Sequence, residues 1–260
     1  MPLTDFKVGL SMLYSLGEPF EKMVEQVPRQ CVKYIELVDD GEHDLDKKRV
    51  AELKDVSSAH GLKFAVHAPF AGMNIALESD HLLKAMLKRL KESIVNAADL
   101  ECKMWIFHPG LRSAISTFYP GKDSKRNLES CRLLLKFGRE HGLKIGIENI
   151  MGSFVLKNVA DFQKFYDELD EELGLVLDTG HANLYGEVEG FLKAFPDRIV
   201  HVHAHDNFGQ TDQHLGIGYG NINWKNFGEL FKKTNFDGIV IVESIEHIEE
   251  SVKKMKDLLH

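Results

Sequence analysis

Six apolar runs in this chain end in a histidine or a carboxylate. Phe64-Ala65-Val66 leads to His67, and Met104 to Phe107 leads to His108. Ile145-Gly146-Ile147 leads to Glu148, and Leu175-Val176-Leu177 leads to Asp178 with His181 three residues on. Ile199 to Val202 brackets His201 and leads to His203, and Ile239 to Val242 leads to Glu243. Mixed imidazole and carboxylate sets suit zinc, manganese, cobalt or iron, and carboxylate-rich subsets admit magnesium. The same groups move protons near neutral pH. A lone histidine at a strand end is more often a hydrogen-bonded structural residue than a ligand. Six strands ending this way point to a shared metal site.

The elements that must position these residues alternate along the chain. Strand-like runs are expected at Phe6–Leu10, Tyr34–Val38, Lys63–His67, Lys103–His108, Lys144–Glu148, Gly174–Asp178, Ile199–His203 and Gly238–Glu243. Helical spacing fills the intervals. It is clearest from Asp80 to Ala98, through Leu83, Met86, Leu87, Leu90, Ile94 and Val95, and at the chain end, through Ile248, Val252, Met255 and Leu259. His60-Gly61 and His141-Gly142 end two helices at glycines suited to a left-handed position. The Gly-Leu-Lys that follows in both leads to His67 and Glu148 at equal spacing, a faint internal echo. Eight β/α units without a linker predict a (β/α)8 TIM barrel, a single α/β domain over residues 1–260. An open doubly wound sheet would carry a glycine-rich loop after an early strand, and none is present. In a barrel the strand C-termini form the catalytic face.

Composition narrows the setting. A net charge of −8 argues against a large nucleic-acid surface. No run is apolar enough to span a membrane, and no secretory signal is visible. The three cysteines, Cys31, Cys102 and Cys131, lack paired spacing, so a disulfide framework is not expected. A soluble cytoplasmic protein is the expectation.

Other residues have a chemical and a plain reading. His201, His203 and His205 alternate, which puts all three on one strand face. His203 is the favoured ligand, His201 an interior histidine, and His205 a substrate contact or a hydrogen-bonded support. Asp212 and His214 either bind a metal or hold the loop after strand 7 closed. Gly216, Gly218 and Gly220 read as turn formers, with lining a phosphate site as the alternative. Phe70, Phe208 and Trp224 are candidate pocket walls, since aromatic faces suit the apolar side of a ligand. Arg112, Lys122, Lys125 and Arg126 form a basic stretch that would grip a phosphate or coat the next helix. The direction of Glu36 on strand 2 stays open.

The motifs His108-Pro109-Gly110, Ile147-Glu148-Asn149, Leu177-Asp178-Thr179-Gly180-His181, His203-Ala204-His205-Asp206-Asn207, Asp212-Gln213-His214 with Gly216 to Ile222, and Val242-Glu243-Ser244 follow strands 3 to 8 in order. Together they resemble the xylose-isomerase-like TIM barrels, which include sugar isomerases, epimerases and endonuclease IV. The isomerase branch implies one divalent metal on Glu148, Asp178, His203 and Glu243. The implied reaction on a small sugar, sugar phosphate or related hydroxy-ketone is proton transfer through a metal-stabilised enediolate. Glu148 and Glu243 would act as bases and His181 would contact hydroxyls; His205, Phe70, Arg112 and Trp224 would line the substrate. The endonuclease IV branch implies up to three zinc ions and phosphodiester cleavage at abasic sites in DNA, with His67, His108, His181, Asp212 and His214 as added ligands. The acidic chain, the absence of a basic residue in Asn207–Thr211 and the absence of tyrosine in Ala68–Asn74 rank this second. A non-enzymatic ligand-binding barrel is a third reading. Related barrels are often dimeric or tetrameric, so the resemblance also admits a homo-oligomer.

Overall fold

The computed structural model describes residues 6–260. Eight strands pair in chain order as a closed barrel, every pair parallel. They are β1 (Lys7–Ser11), β2 (Tyr34–Val38), β3 (Lys63–His67), β4 (Met104–Phe107), β5 (Lys144–Glu148), β6 (Gly174–Asp178), β7 (Ile199–Ala204) and β8 (Ile239–Val242). Helices α1 (Phe20–Gln26), α2 (Lys47–His60), α3 (Asp80–Asp99), α4 (Lys122–Glu140), α5 (Val159–Glu168), α6 (Thr179–Asn183), α7 (Val188–Ala194), α8 (Trp224–Phe231) and α9 (Ile248–Leu259) complete the chain. This is the expected (β/α)8 barrel. Residues 1–5 of the expected domain lie outside the described residues.

The strands read as continuous apolar runs because a parallel barrel buries both strand faces. Alternation then sorts side chains inward or outward. Ile35 and Leu37, Phe64 and Val66, Trp105 and Phe107, Ile145 and Ile147, and Val202 and Ala204 join the main core that includes the helices. Ala65, Met104, Ile106 and Val176 form a separate small cluster, with Val200 packed against it. Glu36, His67, Glu148 and His203 therefore share the inward parity of their strands.

Most expected strands match within a residue, and the differences lie at their ends. β4 stops at Phe107, so His108 leads the following loop, and β8 stops at Val242, so Glu243 does the same. β7 runs on to Ala204, which still pairs with Val242. α3 buries Leu83, Leu90 and Ile94, whereas Val95 is exposed, so its apolar stripe is narrower than the spacing predicts. Gly61 and Gly142 both adopt the left-handed conformation, at φ 65° and 75°. No described helix is long and apolar enough to cross a membrane.

A cavity of about 470 Å³ opens where the strands begin, among Lys7, Lys63, Lys103 and Lys144. None of the nine metal-type residues identified from the sequence lines it. Those residues gather at the opposite mouth, where the strands end.

The cysteines give an early test. Cys31 is exposed, and Cys102 and Cys131 are buried. Burial pushes the Cys102 thiol up to about 12 and the Cys131 thiol higher still. A thiolate-specific reagent at pH 8 should modify one thiol per native chain, and all three after denaturation. Rapid labelling of three in the native protein would contradict this packing.

Candidate metal centre

Glu148, at the end of β5, is the hub of the cluster at the C-terminal mouth of the barrel. Its Oε2 lies 3.3 Å from His67 Nε2, 3.4 Å from His108 Nε2 and 3.3 Å from His203 Nδ1. Its Oε1 lies 3.3 Å from His181 Nδ1. Glu243 approaches from the other side, with Oε2 3.7 Å from His203 Nδ1. Two sets of ligand atoms meet at Glu148, one with His67 and His108 and one with Asp178 and His203, each set lying within 4.8 Å.

The Asp-Thr-Gly-His segment has a local cause. Asp178 caps the short helix α6, its Oδ1 accepting from the His181 backbone N–H at 2.6 Å. The cap brings the His181 side chain back over the end of β5. Asn149 clamps the two strand ends: its Nδ2 donates to the Asp178 carbonyl, and its Oδ1 accepts from the Asp178 N–H at 2.8 Å. Gly180 leaves room for His205, since a Cβ there would come within 1.9 Å of the His205 ring.

A second group forms in the loop after β7. Asp212 Oδ2 lies 3.3 Å from His181 Nε2 and 3.0 Å from His214 Nε2. Asp206 and Leu215 exchange two backbone hydrogen bonds of 2.9 Å and pin the loop at its base. His214 sits at φ 47°, a conformation that costs an L-residue about 1–2 kcal/mol. It is held there by its Nδ1–H to the Glu243 carbonyl at 2.9 Å and by its own carbonyl, which accepts from Ile245 N–H. His205 lies between the groups, with Nε2 3.1 Å from both Asp178 oxygens and its ring stacked on His214 at 3.9 Å.

The hydrogen bonds fit a metal. His67, His181 and His214 each place Nδ1 against a backbone carbonyl, of Ala68, Asn149 and Glu243 respectively. A carbonyl only accepts, so Nδ1 carries the proton and Nε2 is left facing a carboxylate. Two lone pairs in that position need a proton or a cation between them. His203 Nδ1 and Nε2, His205 Nδ1 and Asp212 Oδ1 are buried without a well-aligned hydrogen-bond partner. Such atoms are costly unless a ligand satisfies them. Imidazole with its other nitrogen anchored is the usual presentation to a divalent ion.

Electrostatics separates the two glutamates. Burial alone would raise Glu148, but His203 and His108 beside it hold its carboxyl well below the usual range. Burial dominates at Glu243 and leaves it raised, despite His203 and His214. Burial lowers His108, whereas Asp178, Asp212 and Glu148 overcome burial at His181 and hold it well above the ordinary imidazole value.

The remaining residues named from the sequence take varied places. Phe70 packs its ring 5.5 Å from both His67 and His108, beside the hub. The Arg112 guanidinium faces Asp123 at 3.7 Å and Asp161 at 3.8 Å, so two carboxylates already engage its charge. Trp224, expected as a pocket wall, has other partners: its Nε1–H donates to Asp206 Oδ2 at 2.7 Å, and its ring packs on Phe227. Asp206 also accepts from the Gly218 and Ile222 N–H groups, which makes the Gly216 to Gly220 segment part of a turn clamp.

Residues 32–259 match the family described as Xylose isomerase-like TIM barrel. The chain belongs to that family. Two curated relatives are uncharacterized proteins of Methanocaldococcus jannaschii. MJ1614 is 30% identical over 90% of this chain and 91% of its own, and MJ1311 is 29% identical over 98% and 88%. Among solved structures, a D-tagatose 3-epimerase-like protein superposes with TM-score 0.91 at 27% identity, covering 98% of this chain and 97% of that one.

In this xylose isomerase-like barrel, sequence reasoning passed over Glu36 as a member of the site. It is fully buried, with its carboxylate against His201 and His203. The signal was the outward parity of Ile35 and Leu37, which leaves Glu36 inward.

His214 supplies a pH test. Burial would lower its imidazole, but Asp212 and Glu243 overcome this and raise it to about 9. In the metal-free barrel the charged form therefore stabilises the fold below about 6.5, and that contribution is lost as pH rises through about 9. A ligating imidazole must be neutral. Zinc added at pH 7 should release at least one proton per chain, measurable by titration in weakly buffered indicator. Metal uptake at pH 7 with no proton release would rule out His214 as a ligand.

Proposed function

We propose that this protein is a divalent-metal-dependent isomerase or epimerase of a small sugar, sugar phosphate or related hydroxy-ketone. The observation that carries this reading is the pair of glutamates flanking one ligand nitrogen. Glu148 stands 3.3 Å and Glu243 3.7 Å from His203 Nδ1, reached from β5 and β8. Glu148, Asp178, His203 and Glu243 would hold one ion, with manganese, zinc, cobalt or magnesium all compatible with their donors. When bound, the ion would polarise the substrate's carbonyl and hydroxyl oxygens and stabilise the negative charge that develops beside them.

The chain's own groups supply the rest. Glu243, with its raised carboxyl, is the stronger base and takes the proton from the carbon next to the carbonyl. Glu243 then returns that proton to the neighbouring carbon, or Glu148, on the opposite side, first takes up a proton from a substrate hydroxyl and delivers it to that carbon's other face. His181 orients hydroxyl groups through Nε2, and Phe70 covers the apolar side of the ring. The near-complete burial of Glu148 and Glu243 keeps bulk water from the exchanging proton.

The test is proton exchange. The metal-loaded protein, incubated in D2O with a panel of ketoses and their phosphates, should convert at least one member and place deuterium at the reacting carbon. No conversion and no exchange across the panel would remove the reading. Any turnover would exclude a barrel that only stores or senses a ligand.

A second reading has its own support. Asp212, His181 and His214 form a group beside the Glu148 hub, and His67 and His108 form another. Clustered ions suit phosphoester hydrolysis because they stabilise attacking and leaving oxygens together. Two or three zincs per chain, with nicking of abasic duplex DNA that is lost in His214→Ala, would favour it over the isomerase.

A further inference from the structure

We infer that Glu36 is a positioning residue that sets which nitrogen of His203 faces the metal centre. The inference rests on the reading of Glu148, Asp178, His203 and Glu243 as a metal site. His67, His181 and His214 all anchor Nδ1 on a backbone carbonyl and present Nε2. His203 is turned the other way. Its Nε2 lies 3.0 Å from Glu36 Oε1, and its Nδ1 lies between Glu148 and Glu243. Among the described residues no backbone carbonyl hydrogen-bonds either of its nitrogens, which leaves side chains to fix the ring.

Glu36 reaches His203 across the barrel interior, from β2 to β7. Both are completely buried. A carboxylate in that position is costly unless partnered, and both its oxygens face imidazole. Oε2 accepts from His201 Nε2 at 2.8 Å, and Oε1 stands against His203. His201, Glu36 and His203 thus form a column beneath the site. The 3.0 Å contact is not a well-aligned hydrogen bond, but the carboxylate charge beside Nε2 favours a proton there and leaves the Nδ1 lone pair for a cation. Glutamine would present an amide in place of one of those oxygens and weaken that preference.

The experiment measures tautomer and metal affinity, neither of which needs a substrate. Nitrogen-15 imidazole spectra of the zinc-loaded protein should show His203 protonated at Nε2 and ligating through Nδ1. Glu36→Gln should keep the folded circular-dichroism spectrum, lose the single tautomer and bind zinc or manganese about 10- to 100-fold more weakly in chelator competition. Glu36→Asp, which keeps the charge but shortens the reach, should fall between the two. If Glu36→Gln fails to fold, His201→Gln, which loosens the other carboxylate oxygen, should lower metal affinity in the same direction by a smaller factor. Wild-type metal affinity in a folded Glu36→Gln protein, or Nδ1 protonation of His203 in the zinc-loaded wild type, would overturn the inference. If the wild type binds no divalent metal, the reading of the site itself fails, a result distinct from binding that ignores Glu36.

Discussion

Glu148→Gln should strip most of the bound metal and lower turnover by about 10²–10⁴-fold, the range for loss of a positioned acid–base group. The size of the effect follows from geometry. One carboxylate stands within 3.4 Å of nitrogens on His67, His108, His181 and His203, which come from four different elements. Glutamine puts an N–H donor where a cation or an imidazolium now faces an oxygen, and it removes the charge that balances those rings. The substitution is nearly isosteric, so the fold should survive. Metal content by mass spectrometry and deuterium exchange on an accepted substrate are the measurements. A Glu148→Gln protein with full metal content and full exchange would remove Glu148 as both ligand and base.

Glu243→Gln should cost a similar factor in exchange but far less metal. Glu243 has one imidazole near its carboxylate, His203 at 3.7 Å among the central residues, and it lies outside the Glu148–Asp178–His203 set whose ligand atoms are within 4.8 Å. Burial leaves its carboxyl raised, whereas that of Glu148 is held low. The raised group is the better proton acceptor and the low one the better anchor. The wild-type rate should rise with pH as Glu243 ionises, and Glu243→Gln should abolish that limb of the profile. Metal content reduced less than in Glu148→Gln, with exchange lost, is the expected pattern. Unchanged exchange in Glu243→Gln would assign proton removal elsewhere.

The contrast between the two glutamates was not legible in the sequence. Both follow an apolar run, and both match the same resemblance. Their difference comes from what folds around them. Glu148 collects histidines from β3, β7, the loop after β4 and the turn capped by Asp178. Glu243 faces the rim, where His214 is pinned to its carbonyl. Parity along a strand is a local property, so the inward direction of His67, Glu148 and His203 could be read from their apolar neighbours. Trp224 shows the converse. Its aromatic type suggested a pocket wall, but the partner of its indole N–H, Asp206, is fixed by a turn that no spacing announces.

The sequence by itself determined the barrel, its eight strands and the residue types at their C-terminal ends, because β/α alternation and two-sided burial leave a continuous apolar signature. It also marked the family through motifs that each follow a strand. Only closure of the barrel decided which of those side chains meet. Ring closure brings β2 within reach of β7 and makes Glu36 the partner of His203, although 167 positions separate them on the chain. The physical reason is that hydrogen-bond direction and tautomer depend on contacts across the interior. A histidine carries no sign in sequence of which nitrogen will hold its proton.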